Sequence, residues 1–225
     1  MGKKLLNNIL VIGGEGYIGS VLCKSLLNDH INVTSYDNLI YNNHSNENKK
    51  LQYNNYTFVD GDILDKYKLE LLIRDSSAVI LLAGLVGDPI SKKYPKHAKL
   101  INDIGVRNVI DLCSKHNINK FIFISTCSNY GLIKSNELAN ENFTLNPLSS
   151  YARSKVNAEK YILSLDGKTA MQPTILRFAT AFGLSPRMRF DLTVNEFAYT
   201  CAMGRELLIY DADTWRPYCH VKDFS

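Results

Sequence analysis

Ile9-Leu10-Val11-Ile12 runs directly into Gly13-Gly14-Glu15-Gly16-Tyr17-Ile18-Gly19, and a helical pattern follows at once. Four apolar, largely β-branched residues that end in glycines suit a strand buried on both faces. From Tyr17 to Asn28, the residues Ile18, Val21, Leu22, Ser25 and Leu26 share one side of a helix. The alternation then repeats. Strands are expected at Asn32–Tyr36, Tyr56–Val59, Ala78–Leu82, Lys120–Ile124 and Gln172–Phe178. Helices are expected at Asp65–Arg74, Ala98–His116, a segment after Pro147 capped by Ser149 or Ser150, and Val194–Met203. An Asn-rich loop is expected from Asn38 to Asn55. Strands alternating with helices predict an α/β fold, a doubly wound parallel sheet with helices on both faces.

Gly13, Gly16 and Gly19 recur every third residue at the first strand-to-helix turn. Such glycines permit a tight turn, close backbone approach to a pyrophosphate and close helix–strand packing. The helix N-terminus adds unpaired N–H groups and a positive dipole end. A glycine triplet alone is weak evidence, but Asp37 ends the second strand, where a carboxylate accepts hydrogen bonds from an adenosine ribose. It would repel a 2′-phosphate, so NAD is expected over NADP. The weaker alternatives are a loop turn for Asp37-Asn38 and an ordinary strand-end turn for Asp62-Ile63, a possible adenine contact. Ala83-Gly84 offers either close cofactor approach or an ordinary small-residue turn.

Tyr151 and Lys155 stand four apart on an expected helix and so share a face. A phenol beside an ammonium is an acid/base group whose ionised form the positive charge favours. Downstream of a dinucleotide loop, and after Ser125-Thr126-Cys127-Ser128-Asn129-Tyr130-Gly131, the pair suggests hydride chemistry.

With these motifs together, the chain resembles the extended short-chain dehydrogenase/reductase superfamily, within its nucleotide-sugar epimerase/dehydratase group, from Ile9 to the last residue. The resemblance implies a Rossmann-type domain over 1–182 and a partial substrate-binding region over 183–225. It assigns cofactor contacts to Gly13, Gly16, Tyr17, Ile18, Gly19, Asp37, Asn38, Asp62, Ile63, Ala83, Gly84 and Asn102, together with Tyr151 and Lys155. Thr126, four residues before Tyr130, falls on the catalytic hydroxyl position, beside the catalytic pair Tyr151 and Lys155. Arg216, in Arg216-Pro217-Tyr218-Cys219-His220-Val221, falls on an arginine that meets the substrate diphosphate. Substrate contacts are expected from Thr180, Arg187, Arg189 and Asn195 as well, although each of Arg187, Arg189, Asn195 and Arg216 reads alternatively as a solvated or capping residue.

The departures bear on the reaction. Dehydratases of this group carry an Asp-Glu pair after the catalytic threonine, where this chain has Cys127 and Ser128. Thr180 stands where a substrate-facing asparagine is common. The resemblance therefore implies epimerisation of a nucleotide sugar through a transient 4-keto sugar. A reductase or dehydratase of a related sugar, or a non-catalytic NAD-binding protein or fragment, are the alternatives. The chain stops soon after the His-Val segment, so the lid over the sugar is expected to be incomplete and self-association favoured.

The chain has 225 residues, 26 basic and 22 acidic, with its positive charges scattered. No run of them resembles a nucleic-acid arm or a membrane patch. The five cysteines show no Cys-x-x-Cys spacing, and no signal-like apolar run follows the N-terminus. No metal site is expected, and a cytoplasmic location is. By resemblance only, the helices Ala98–His116 and Ser150–Ser164 are expected to form a homodimer.

Overall fold

The computed structural model describes residues 8–41, 53–134, 137–210 and 212–225. Positions 42–52 of the expected Asn-rich loop lie outside the described residues. Six parallel strands form one sheet in the order β3-β2-β1-β4-β5-β6. They are β1 (Ile9–Ile12), β2 (Val33–Asp37), β3 (Tyr56–Asp60), β4 (Ala78–Leu81), β5 (Lys120–Thr126) and β6 (Gln172–Phe178). The helices are α1 (Gly19–Asn28), α2 (Lys66–Arg74), α3 (Asp88–Lys93), α4 (Pro95–Lys99), α5 (Val106–Lys115), α6 (Ser150–Ser164) and α7 (Thr193–Ala202).

Successive strand residues face opposite sides of the sheet. Leu10, Ile12, Val79, Leu81, Phe121 and Phe123 pack with Leu69 and Ile73 of α2, Val109 and Ile110 of α5 and Ile162 of α6. On the other face Ile9, Val11, Val33 and Ile80 pack with Cys23 and Leu27 of α1. Burying each such aliphatic or aromatic side chain contributes about 1.5–3 kcal/mol, and both faces contribute. Strand order reverses between β1 and β4, which opens a crevice at the carboxyl edge of the sheet.

Three local features differ from the sequence expectation. The helix expected over Ala98–His116 is α4 and α5 joined by a π-helical turn, Leu100–Gly105, with Asn102 inside it. α1 starts at Gly19, two residues beyond Tyr17, because the glycine turn occupies those positions. A second sheet pairs β7 (Thr180–Phe182) with β8 (Tyr218–His220) in parallel. Strands of three residues are too short to show a period, so only tertiary pairing defines them. α6 is capped by Ser149, whose hydroxyl accepts the Ala152 N–H at 3.1 Å.

Candidate active site

The glycine turn is built for close approach. Gly13 has φ +89°, and a Cβ there would lie 2.6 Å from Ala83 N, so the loop after β1 sits against the end of β4. A Cβ on Gly19 would lie 2.2 Å from the Gly13 carbonyl oxygen, so α1 can start this close only with glycine. Gly16 differs: its Cβ would meet nothing nearer than Gly13 O, at 3.3 Å. Among the described residues the N–H groups of Tyr17 and Ile18 reach no protein acceptor, and no side chain caps α1. Unpaired N–H groups at a helix start, beside a glycine whose Cβ would meet only the Gly13 carbonyl, fit a pyrophosphate.

Asp37 ends β2 beside this turn, its Oδ2 accepting the Glu15 N–H at 3.0 Å and its Oδ1 the Leu39 N–H at 2.9 Å. These bonds hold a carboxylate at the crevice, where a ribose hydroxyl would be recognised. Asn38 Nδ2 donates to Asp62 Oδ2 at 2.9 Å, joining the ends of β2 and β3. Ile63 is buried against Gly105 in the core, so its side chain braces the π-helical turn and only its backbone remains for a ligand. Asn102 is also spent internally: its Oδ1 accepts the Leu85 N–H and its Nδ2 donates to Leu85 O, each at 2.9 Å. These two bonds fix the backbone that follows the Ala83-Gly84 turn.

Across the crevice, β5 and α6 bring the expected catalytic group together. Lys155 is 5% exposed, its Nζ donating to Ile124 O at 2.7 Å and lying 5.9 Å from the Tyr151 ring centroid. Burial lowers its pKa from 10.5 to about 8, with the Glu159 charge opposing. Thr126 closes β5, and its Oγ1 accepts the Ser128 N–H at 3.2 Å, which orients the hydroxyl. Beneath them lies a buried network absent from the sequence reading: Glu159, Arg177, Ser125 and Asn129. Its only sequence signal was Glu159 four residues after Lys155, on the face already carrying Tyr151.

The expected substrate residues fall into four settings. Arg216 Nε donates to Thr180 Oγ1 at 2.9 Å, so these two meet at the paired β7 and β8. The Arg216 charge also reaches Cys127, opposing the burial that raises its thiol pKa. Arg189 grips Asp191 with Nε at 3.0 Å and an Nη at 2.5 Å. Arg187 stacks over the Tyr41 ring at 3.8 Å; burial lowers its pKa, with Tyr41 and Asp37 among the groups opposing. It therefore stands on the Asp37 side of the crevice. Asn195, 7% exposed, has an amide used on both ends. Oδ1 accepts the Gly183 N–H at 2.9 Å, while Nδ2 donates to Tyr17 Oη at 3.1 Å and Arg189 O at 2.9 Å. These three bonds make Asn195 a clamp between the glycine turn, the Gly183 backbone and the Arg189 backbone.

The chain matches the model of the NAD dependent epimerase/dehydratase family over residues 9–225. It belongs to that family. A putative UDP-glucose 4-epimerase of Methanocaldococcus jannaschii is 34% identical, the match covering 78% of this chain and 56% of that protein. A UDP-glucose 4-epimerase of Rhizobium leguminosarum bv. trifolii is 32% identical over 96% of this chain and 69% of its own length. Among solved structures, UDP-glucuronic acid 4-epimerase from Bacillus cereus, in complex with UDP-glucuronic acid and NAD, superposes with a TM-score of 0.86 at 27% identity. That likeness covers 96% of this chain and 70% of the other. The chain thus spans little more than half the length of the Methanocaldococcus relative. The cofactor of the family is NAD, and the open glycine turn, the free N–H groups and Asp37 fit it. Among the described residues no helix is long and apolar enough to cross a membrane.

Two outcomes follow. Asp37→Ala should weaken NAD binding more than NADP binding in calorimetric titration; equal losses would remove Asp37 from ribose recognition. The second concerns Lys155. Between about 8 and 10.5 the unfolded chain keeps a proton on Lys155 that the folded chain has released. Stability must therefore rise with pH across that window. In urea unfolding the native protein should gain on Lys155→Met over this interval, and a pH-independent difference would contradict the buried ammonium.

Proposed function

We propose that this chain carries the NAD-binding and catalytic part of a 4-epimerase for a nucleotide-activated sugar, with UDP-sugars as the substrate class. The observation that carries this reading is Thr126 at the carboxyl end of β5 together with Tyr151 and buried Lys155 in the first turns of α6. When bound, NAD supplies a hydride acceptor and donor. Tyr151 takes the proton of the sugar C4 hydroxyl, a role suited to a phenol beside an ammonium. Lys155, fixed by the Ile124 carbonyl, supplies that charge. Thr126 donates a hydrogen bond to the oxygen as it gains carbonyl character. Cys127 and Ser128 provide no carboxylate for eliminating water, which favours epimerisation over dehydration.

Arg216 and Thr180 are proposed as the diphosphate contact, since guanidinium suits bidentate phosphate recognition. Arg187 is placed too close to Asp37 and Tyr41 to favour the same role. The division into a cofactor domain over 1–182 and a substrate region over 183–225 is kept as part of the proposal. A homodimer through the π-helical turn, α5 and α6 is supported by a cleft of about 480 Å³ there, and by Leu100 and Ile104, 41% and 47% exposed. Five cysteines, all free, support a reducing compartment and hence the cytoplasm.

Incubation with NAD and a panel of UDP-sugars, read by NMR, should show inversion at C4. Tyr151→Phe should then lower turnover by ~100-fold or more, the loss associated with removing a general acid/base, while NAD affinity stays near the native value. Full activity in that variant would dismiss Tyr151 as the proton-transfer group.

A further inference from the structure

Glu159 lies one helical turn beyond Lys155 on α6 and is 1% exposed. An isolated carboxylate at that depth would be strongly disfavoured, yet this one gathers donors from three other elements. Arg177 of β6 holds it with Nε at 3.1 Å and an Nη at 2.7 Å, both to Oε2. Asn129 Nδ2 donates to Oε1 at 2.7 Å, and the Ser125 hydroxyl donates to the same oxygen. Ser125 precedes Thr126, and Asn129 follows it by three residues. Arg177 continues to the Tyr130 hydroxyl at 3.1 Å, and Lys155 holds Ile124 O from the other side. Residues 124, 125, 129 and 130 are thus all anchored to α6 or to the ion-pair partner of Glu159. Thr126 is the hydroxyl in the middle of that anchored segment.

We propose that Glu159 is a positioning residue for the epimerase reaction: its carboxylate docks the Thr126 strand end onto the helix bearing Tyr151 and Lys155 and sets a negative charge one helical turn from Lys155. The inference rests on the reading that Thr126, Tyr151 and Lys155 carry the chemistry. The charged and titratable groups facing this cluster are Tyr151, Lys155 and Glu159 of α6, Arg177 of β6 and Tyr130 of the turn after β5. Arg189 lies within electrostatic reach of Tyr151. Lys155 has only Glu159 as an opposing charge against its own desolvation. Stability alone would not demand this arrangement, because a buried ion pair is often replaced by apolar residues without loss.

That difference supplies the test. Glu159→Gln keeps the shape and removes the charge; the double variant Glu159→Leu/Arg177→Met removes the pair without leaving a buried guanidinium unpaired. Both are compared with the native chain by thermal unfolding, NAD titration and UDP-sugar kinetics. Lys155 is titrated by NMR of ¹³C-labelled lysine, its resonance assigned by its loss in Lys155→Met. In whichever variant folds, kcat should fall ~10–100-fold, the scale of a small misplacement of reacting groups, with KM and NAD affinity little changed. The Lys155 midpoint should move to lower pH. A folded variant with native kcat, or with an unmoved Lys155 midpoint, would overturn the proposal. The titration needs no sugar, so a native chain that turns over no UDP-sugar would count against the proposed reaction while Lys155 still decides the role of Glu159.

Discussion

A single buried ammonium ties the structure together. Lys155 donates 2.7 Å to the Ile124 carbonyl, and this bond joins the helix that follows β5 to the strand that precedes it. Because burial favours the neutral amine, the ammonium persists only with compensation, and its surroundings supply it. The Ile124 carbonyl accepts its hydrogen bond, the Phe123 ring lies 4.6 Å away, and Glu159 stands one turn further on. The cost of holding that charge fixes where Tyr151 can be, since both ride on one rigid helix. A flexible, solvated lysine would leave the phenol without a defined partner.

The second constraint runs along the other edge of the crevice. Tyr17, inside the glycine turn, donates its hydroxyl to Gly183 O at 2.6 Å and accepts from Asn195. Ser185 donates to Tyr17 O at 2.6 Å and shares a hydrogen bond with Ser20 at 3.0 Å. The cofactor turn is thereby bonded to the segment that leads toward Arg187 and Arg189. Ala181 and Val221 pack on Tyr17 in a small apolar cluster, which seats the β7–β8 pair on α1. The region after β6 is anchored on the cofactor loop itself, so the two halves of the site share one hinge of hydrogen bonds.

How much of this was legible in the sequence depends on the range of the interaction. Ile9–Ile12 and Ala78–Leu81 read as strands because strands buried on both faces are continuous apolar runs. The glycine spacing, Asp37 and the Tyr151/Lys155 pair read correctly as neighbours in space because short-range geometry dictates them. Residue type reveals the amides of Asn102 and Asn195 but not which donors and acceptors occupy them: Asn102 bonds the Leu85 backbone, and Asn195 bonds Gly183, Arg189 and the Tyr17 hydroxyl. Glu159 escaped notice because a carboxylate four residues from a lysine ordinarily marks an exposed helical pair. Only the meeting of β5, β6 and α6 buries it against Arg177. The β7–β8 pair escaped for a related reason, since its partners lie 36 positions apart in the Thr180–Arg216 contact and in neither strand does a local pattern survive.

The central claim is that Thr126, Tyr151 and Lys155 act on one sugar carbon that is oxidised and restored without leaving the site. A UDP-sugar deuterated at C4, incubated with the NAD-loaded protein in ordinary water, tests this most directly. The account predicts a C4-epimeric product that retains the deuterium at C4. Epimerised product with solvent hydrogen at C4, or inversion at a different carbon, would contradict it.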